Sequence, residues 1–485
     1  MLYRRMLYFV RHNSEISDLF AALIGILIGD TCSPILWNLY MANLRKFLIS
    51  QGISLDDCNI AHLEQADDIV LIATSPEGLQ ALMNALFKWC SLNFMILNAI
   101  KSIATIFGPI PAFLPIFKFG ESPVIVSEHQ TYVGITLRTT LRNIFADQYK
   151  IKAGKARTIG NMIFALQSVV GYLPPAELKK LYMALVDPHL THGAEITLDI
   201  DLNLLGQLEN IQNSFLRRLL SVGEKTLGVL LFTETGILPI RYRRMLIALE
   251  YLKYLLLLPQ ERYASHAIRD SFNLASRGQK GWVTDITVIL SSLPFQVSPL
   301  SIDAPDIQNI NDVMDSLKKG LRNFIQQIID TSPKAYLLVD RKEPEKNGKL
   351  VQKTFLFRHY LDVVNVKHRK AITRLLLSSH ALAIERLRWH RPHVARQMRL
   401  CRLCQRSVES PEHALLECDG SQDLIQLRNM FLSEVSNATL VQVNINESVS
   451  LLRRLISSRE TIVRTAEFTH DVLFLFDKYP MYIPV

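Results

Sequence analysis

"AHLEQADDIVLIATSPEG", residues Ala61 to Gly78, sets two adjacent carboxylates, Asp67 and Asp68, against the apolar run Ile69–Ala73. Neighbouring acids repel each other, and an apolar strand gains nothing from two charges at its mouth. The β-branched residues Ile69, Val70 and Ile72 follow the pair, so residues 60–73 read as two strands meeting at the acids. A helix comes next: Ser75 caps it, Pro76 suits its first position and Glu77 favours the positive end of its dipole. Leu79, Leu82, Met83, Leu86, Phe87 and Cys90 recur at helical spacing and predict one face packed on the sheet. Asp56-Asp57, in "SLDDCN", lacks that frame and reads as an ordinary turn.

Outward from this stretch, "SIATIF" (102–107), "VIVS" (124–127) and "TYVGITL" (131–137) are strand-like pieces between Gly and Pro turns. Past residue 138 the periodicity is helical. "PPAELKKLYMALV" starts at Pro174-Pro175 and predicts Leu178, Leu181, Tyr182 and Leu185 as its buried face. "LENIQNSFLRRLLSV" and "RYRRMLIALEYLKYLLLL" are further amphipathic helices, and "DRKEPEKNGK" (Asp340–Lys349) is the clearest linker. The class expected is α+β.

With 485 residues, of which 49% are hydrophobic, the chain has ample material for several globular cores. No apolar run reaches the roughly 20 residues that a membrane-spanning helix needs. "LFAALIGILIG" (Leu19–Gly29) stops at 11. The start shows no secretory signal, although Arg4, Arg5 and Arg11 precede its first acid, Glu15, and give it a slight likeness to a mitochondrial transit peptide. The expected location is intracellular, with nuclear residence suiting a nucleic-acid partner.

The formal charge of +9 is concentrated. Between Lys367 and Arg402 ten Lys or Arg face one acid, Glu385. Such a stripe suits a polyanion, nucleic acid being the commonest, unless it is merely a solvated helix face. Arg386, Arg388, Arg391, Arg396 and Arg399 are the candidate phosphate contacts. Trp389 among them reads either as a stacking surface for bases or as a core anchor under the segment that follows.

That segment, "CRLCQRSVESPEHALLEC", spaces Cys401, Cys404, His413 and Cys418 as C-x2-C-x8-H-x4-C. Three thiolates and an imidazole fill a tetrahedral Zn²⁺ shell, which predicts a structural site in a reducing compartment. Cys32, Cys58 and Cys90 are dispersed and read as buried thiols. At the acid pair, Mg²⁺ is the natural ion, since it takes oxygen ligands and shares its shell with substrate phosphates. In two-metal phosphoryl transfer such carboxylates hold the ions at the attacking and leaving oxygens.

"GILIGDTCSPILWNLYMANL" (Gly25–Leu44), the acid pair, "KSIATIFG" (Lys101–Gly108) and "YVGITL" (Tyr132–Leu137) stand in an order that resembles the palm of reverse transcriptases of the non-LTR retrotransposon type. Gly25, Gly29, Ser33 and Pro34 match the family's G-x-x-x-G-x-x-x-S-P turn. Ala66, Asp67 and Asp68 match its A-D-D box, Lys101 its late-palm lysine, and Tyr132 and Gly134 its Y-x-G strand. "LYMALVDPHLTHGAE" (181–195) and "LENIQNSFLRRLLSV" (208–222) look like the helical thumb and its continuation, and the cysteine–histidine segment looks like the zinc-binding segment downstream of the polymerase.

The resemblance implies an RNA-directed DNA polymerase, a nucleotidyltransferase with Asp67 and Asp68 as catalytic ligands of Mg²⁺ or Mn²⁺. Gly29, Ser33, Pro34 and Lys101 then lie at the nucleotide. The implied partners are an RNA template, a DNA primer or target and nucleoside triphosphates, with no membrane. Two departures accompany it. The family's first palm Asp has no counterpart, Glu15 and Asp18 lying in what reads as a later hairpin, and Ile28 stands where many relatives carry Gln. A truncated fragment, inactive alone, is therefore expected. A non-catalytic remnant that binds nucleic acid through the basic stripe and zinc segment is the alternative. A helical adaptor explains neither the acids nor the cysteines. The implied plan is a partial palm at 1–138, a helical thumb-like region at 139–230, a helical connector at 231–339, the linker at 340–349, a basic helical region at 350–397, the zinc segment at 398–420 and a helical tail at 421–485.

Overall fold

The computed structural model describes residues 7–21, 25–27, 29–48, 52–55, 58–110, 113–344, 350–438 and 447–484. Arg4, Arg5, Ile28 and Asp56-Asp57 therefore lie outside the described residues. The chain divides into two compact units, residues 1–147 with 257–273, and residues 148–256 with 274–485.

In the first unit the helix Pro76–Leu92 is the organiser. Ser75 Oγ accepts from the Gly78 N–H at 3.0 Å, and Pro76 opens the helix as its sequence predicts. Leu82, Met83, Leu86 and Cys90 are buried and Leu79 packs beside them, while Phe87 stays 41% exposed. Trp89, absent from the predicted face, is fully buried and donates to Asn43 Oδ1 at 2.8 Å. That partner explains how a large indole sits in a core without an orphaned donor. Met41, Leu44, Leu48, Phe117 and Phe119 complete this core.

Among the described residues the strands pair two by two. Seven ladders are antiparallel, and one, Ile103–Ala104 with Ile125–Val126, is parallel. Seven of the eight ladders lie in this unit, so it holds a set of short ladders against helices and not one continuous antiparallel sheet. Strands of two to four residues offer few ladder bonds, and each ladder needs packing from elsewhere. Arg11–His12 and Glu15–Ile16 pair around Asn13-Ser14, so Glu15 does lie on a hairpin. "TYVGITL" is a hairpin and not a single strand: His129–Tyr132 returns as Ile135–Arg138. Val133 (φ 46) and Gly134 (φ 77) form its turn, whose left-handed positions a two-residue hairpin demands.

The second unit is helical. Leu202–Leu220 starts at Asp201, whose Oδ1 accepts from Asn203 N (2.9 Å) and Leu204 N (3.3 Å), and it ends at left-handed Ser221. Asp306 and Asn365 cap the helices Ile307–Thr331 and Val366–Leu376 in the same way. The helix Pro175–Leu181 runs on through a π turn, Tyr182–Val186, into Asp187–Thr191. An extra residue per turn makes the apolar stripe slip. Leu178 and Tyr182 are buried as predicted, but Leu185 swings out to 45% exposure and Val186 and Leu190 take the buried places.

The start of the expected linker 340–349 is not free of the fold. Arg341 and Glu343 are buried side chains in a charge network, and this compact unit continues on either side of them. Only residues 345–349 of that stretch fall outside the described set. Glu234, fully buried, receives both Arg341 guanidinium nitrogens at 2.6 and 2.8 Å and the Tyr360 hydroxyl at 2.8 Å. Arg358 donates to Glu343 at 2.9 Å. Polarity in a sequence signals a linker only when the polar groups lack buried partners, and here they have them. Among the described residues no helix is long and apolar enough to cross a membrane.

Candidate functional site

The acid pair sits at the tip of a hairpin. His62–Gln65 pairs with Asp68–Leu71, Gln65 opposite Asp68, and Ala66-Asp67 makes the turn with Ala66 in the left-handed region at φ 53. The turn is pinned from the serine–proline helix Ser33–Met41: Trp37 Nε1 donates to the Ala66 carbonyl at 2.9 Å. That helix is anchored in turn at its start, where buried Ser33 donates through Oγ to the Leu27 carbonyl at 2.7 Å. Gly29 precedes it at φ 91, a conformation open to glycine and strained for most other residues. Pro34, in the first turn, lacks only an N–H that would have no intrahelical partner there.

Tyr132 belongs to the same neighbourhood. Burial, with the Asp68 carboxylate nearby, holds its phenol above the usual range. The structure thus ties the serine–proline helix to the acid hairpin through Trp37 and sets Tyr132 near Asp68. Lys101 is exposed in a turn where its backbone N–H donates to Asn98, and its ammonium has no ion-pair partner among the described residues. Asp67 and Asp68 are exposed. No third carboxylate, histidine or cysteine among the described residues joins them in a group able to hold a metal. Exposed carboxylates are the oxygen ligands that Mg²⁺ takes alongside waters and substrate phosphates.

Residues 3–137 match the reverse transcriptase (RNA-dependent DNA polymerase) family model. The match spans every palm position named above and ends within the Ile135–Arg138 strand. No curated protein matches the chain. A reverse-transcriptase domain implies a nucleic-acid template, nucleotide substrates and a divalent metal.

Outside the reverse-transcriptase segment, Cys401, Cys404, His413 and Cys418 converge, their ligand atoms all within 4.8 Å of one another. Cys401 Sγ lies 3.6 Å from Cys418 Sγ, and Cys404 Sγ 3.3 Å from His413 Nε2. The edge of a tetrahedral zinc–thiolate site is about 3.8 Å, so the donor set fits Zn²⁺ in both chemistry and spacing. An isolated bridge, Leu400 with Val408, closes the cysteine turn, and a π turn, His413–Glu417, delivers the other two ligands. Glu417 Oε2 stands 3.5 Å from His413 Nδ1, where it can orient the ring. Hydrogen bonding with Cys418, reinforced by burial, pushes the Cys401 thiol up to about 12. A bound metal must displace that proton, so acid weakens its hold.

The basic stripe separates into two kinds of cation. Lys367, Arg374, Arg386, Arg391 and Arg396 are exposed. Arg399 does not fit its expected phosphate-facing role: it is 5% exposed, with its guanidinium spent on the Val394 and Ile384 carbonyls. Arg402 is likewise committed, to Glu409 at 2.7 Å and to the Ala381 carbonyl at 2.9 Å. Arg388 pairs with Glu385 at 2.7 Å. Trp389 is no core anchor, since it is 53% exposed, with Lys225 and Lys334 over its ring. Those two lysines lie outside the stripe, in loops after other helices, and no local pattern in the sequence could have linked them to it.

Proposed function

We propose that this chain is the reverse-transcriptase-type protein of a non-LTR retrotransposon, acting on an RNA template with a DNA primer or target. The observation that carries the proposal is the acid hairpin held by Trp37 to the serine–proline helix, inside the segment that matches the reverse-transcriptase family. Asp67 and Asp68 would hold the divalent ion, which when bound neutralises phosphate charge and activates the attacking hydroxyl. Ser33, Pro34 and Tyr132 fix the geometry around them, and exposed Lys101 is left to meet a triphosphate. The cysteine–histidine group takes a structural Zn²⁺, and nuclear residence would accompany this role.

Two carboxylates hold a metal pair less well than three. The chain by itself therefore binds nucleic acid without extending a primer at a measurable rate. Primer extension on an RNA template with Mg²⁺ or Mn²⁺ checks this: the purified chain gives no template-dependent product. A product that disappears in Asp67→Ala would establish the polymerase and refute the inactivity.

The second reading, a nucleic-acid-binding protein without chemistry, is favoured by the five exposed cations of the stripe. If all five meet phosphates, the log–log salt slope on single strands is roughly −3.5. A flat salt response removes it.

A further inference from the structure

An indole buries up to about 250 Å² when it enters a core, and Trp389 forgoes that. It closes the short turn Leu387–Trp389 and remains 53% exposed. Two ammonium groups from distant parts of the chain meet its ring: Lys225 Nζ lies 4.7 Å from the ring centroid and Lys334 Nζ 5.1 Å. Lys334 Nζ also donates to the Lys225 carbonyl at 2.6 Å, which fixes one loop to the other. Exposed Arg386 stands one helical turn before the Trp, and Arg388 is beside it. One acid of this neighbourhood, Glu385, is engaged by Arg388, and exposed Glu224 adjoins Lys225 in the chain. Burial lowers the pKa of Lys334, with Glu385 opposing and Arg388 and Lys225 adding to the fall.

A cation–π clamp whose only task was to join two loops would need neither a second ammonium nor a solvent-facing ring. Like charges held against one half-exposed aromatic ring call for an anion that also has a flat surface. A nucleotide supplies both, its base for the indole and its phosphate for the ammoniums. Duplex does not satisfy the site, because its bases are stacked on one another and a lone exposed ring meets only backbone.

We infer that Trp389, with Lys225 and Lys334, is a stacking site for an unpaired base of a single-stranded polynucleotide, with Arg386 placed for an adjacent phosphate. The inference rests on the nucleic-acid reading above and specifies the strand and the residue that reads it.

The test is fluorescence anisotropy of a short labelled oligothymidylate, a duplex of equal length and inorganic polyphosphate, each titrated with the full zinc-loaded chain. Trp389→Ala is expected to weaken oligothymidylate binding about ten-fold, the scale of one base–aromatic stack. It should leave polyphosphate binding unchanged, and Trp389→Phe should restore most of the loss. Lys225→Ala with Lys334→Ala should weaken both ligands and flatten the salt slope. If Trp389→Ala binds oligothymidylate as tightly as the parent, the stacking site is refuted while nucleic-acid binding stands. If it loses polyphosphate equally, the ring only arranges cations and the inference fails. If the parent binds no polynucleotide, both readings fall together. Unchanged helical circular dichroism identifies a folded variant.

Discussion

The two compact units treat charge in opposite ways. The segment that matches the reverse-transcriptase family leaves Asp67 and Asp68 in water at a hairpin tip, whose turn accepts a hydrogen bond from Trp37. The helical unit buries Glu234, Asp199 and Glu409 and gives each an arginine: Arg341, Arg244 and Arg402. Arg244 meets Asp199 at 2.9 Å and also donates to the Leu190 and Thr197 carbonyls. An acid that must meet a metal has to remain available, whereas an acid that organises a core has to be saturated, because an unpaired buried charge is costly. Exposure and saturation therefore separate carboxylates left open to an ion from those that hold a core more clearly than sequence context does.

The contrast is open to direct attack. The largest effect belongs to the cysteine–histidine group, where bound Zn²⁺ contributes on the order of 10 kcal/mol to local folding. Chelation should melt residues near 398–420, seen as lost near-ultraviolet dichroism and new protease cleavage there. Unchanged protection would mean that the knuckle stands without metal.

Glu234→Gln comes next. Removing one partner of a buried ion pair costs about 3–5 kcal/mol, measurable by urea unfolding of the helical unit. The same group gives a pH signature. Burial alone would raise Glu234, but the Arg341 guanidinium, with Arg358 and the Tyr360 hydroxyl, holds it at about 2, below its ordinary 4.5. Its stabilisation is thus complete above pH 4.5 and is lost as pH falls from there through 2. The Gln variant should lose that part of the acid dependence.

The smallest effects belong to the acid hairpin. Trp37→Phe removes one hydrogen bond, about 1 kcal/mol, and should speed amide exchange in the Ala66–Asp68 turn. Asp67→Asn, the same carboxylate-to-amide change as at Glu234, should alter stability by no more than about 0.5 kcal/mol. A large loss there would place the acid in a buried network and erase the difference between the units.

Local signals in the sequence carried well where a structure is made by neighbours in the chain. The Ser75-Pro76 cap, the strand pair around the acids and the converging cysteines all depend on residues a few places apart. What was not legible depends on distance. Trp89 was missing from the apolar face read from the sequence, and its acceptor in the core, Asn43, lies 46 residues earlier; Cys32 and Cys58 read as buried, yet the first is exposed and the second half-buried. Arg399 looked like a phosphate ligand because no stripe of charges reveals which members point inward at carbonyls. Arg341 and Glu343 read as linker because their partners, Glu234 and Arg358, are remote. Leu185 read as core because a π turn leaves no mark in the apolar spacing.

The Glu234 network also sets an order of events during synthesis. Its guanidinium partner lies 107 residues downstream and its phenol partner 126. At ribosomal speeds of about 5–20 residues per second, that carboxylate waits several seconds in water before Arg341 emerges. Until then, closing the helices over it means burying an unpaired carboxylate or protonating it, either at a cost. Closing the helical unit over Glu234 is therefore least costly once Arg341 has left the ribosome.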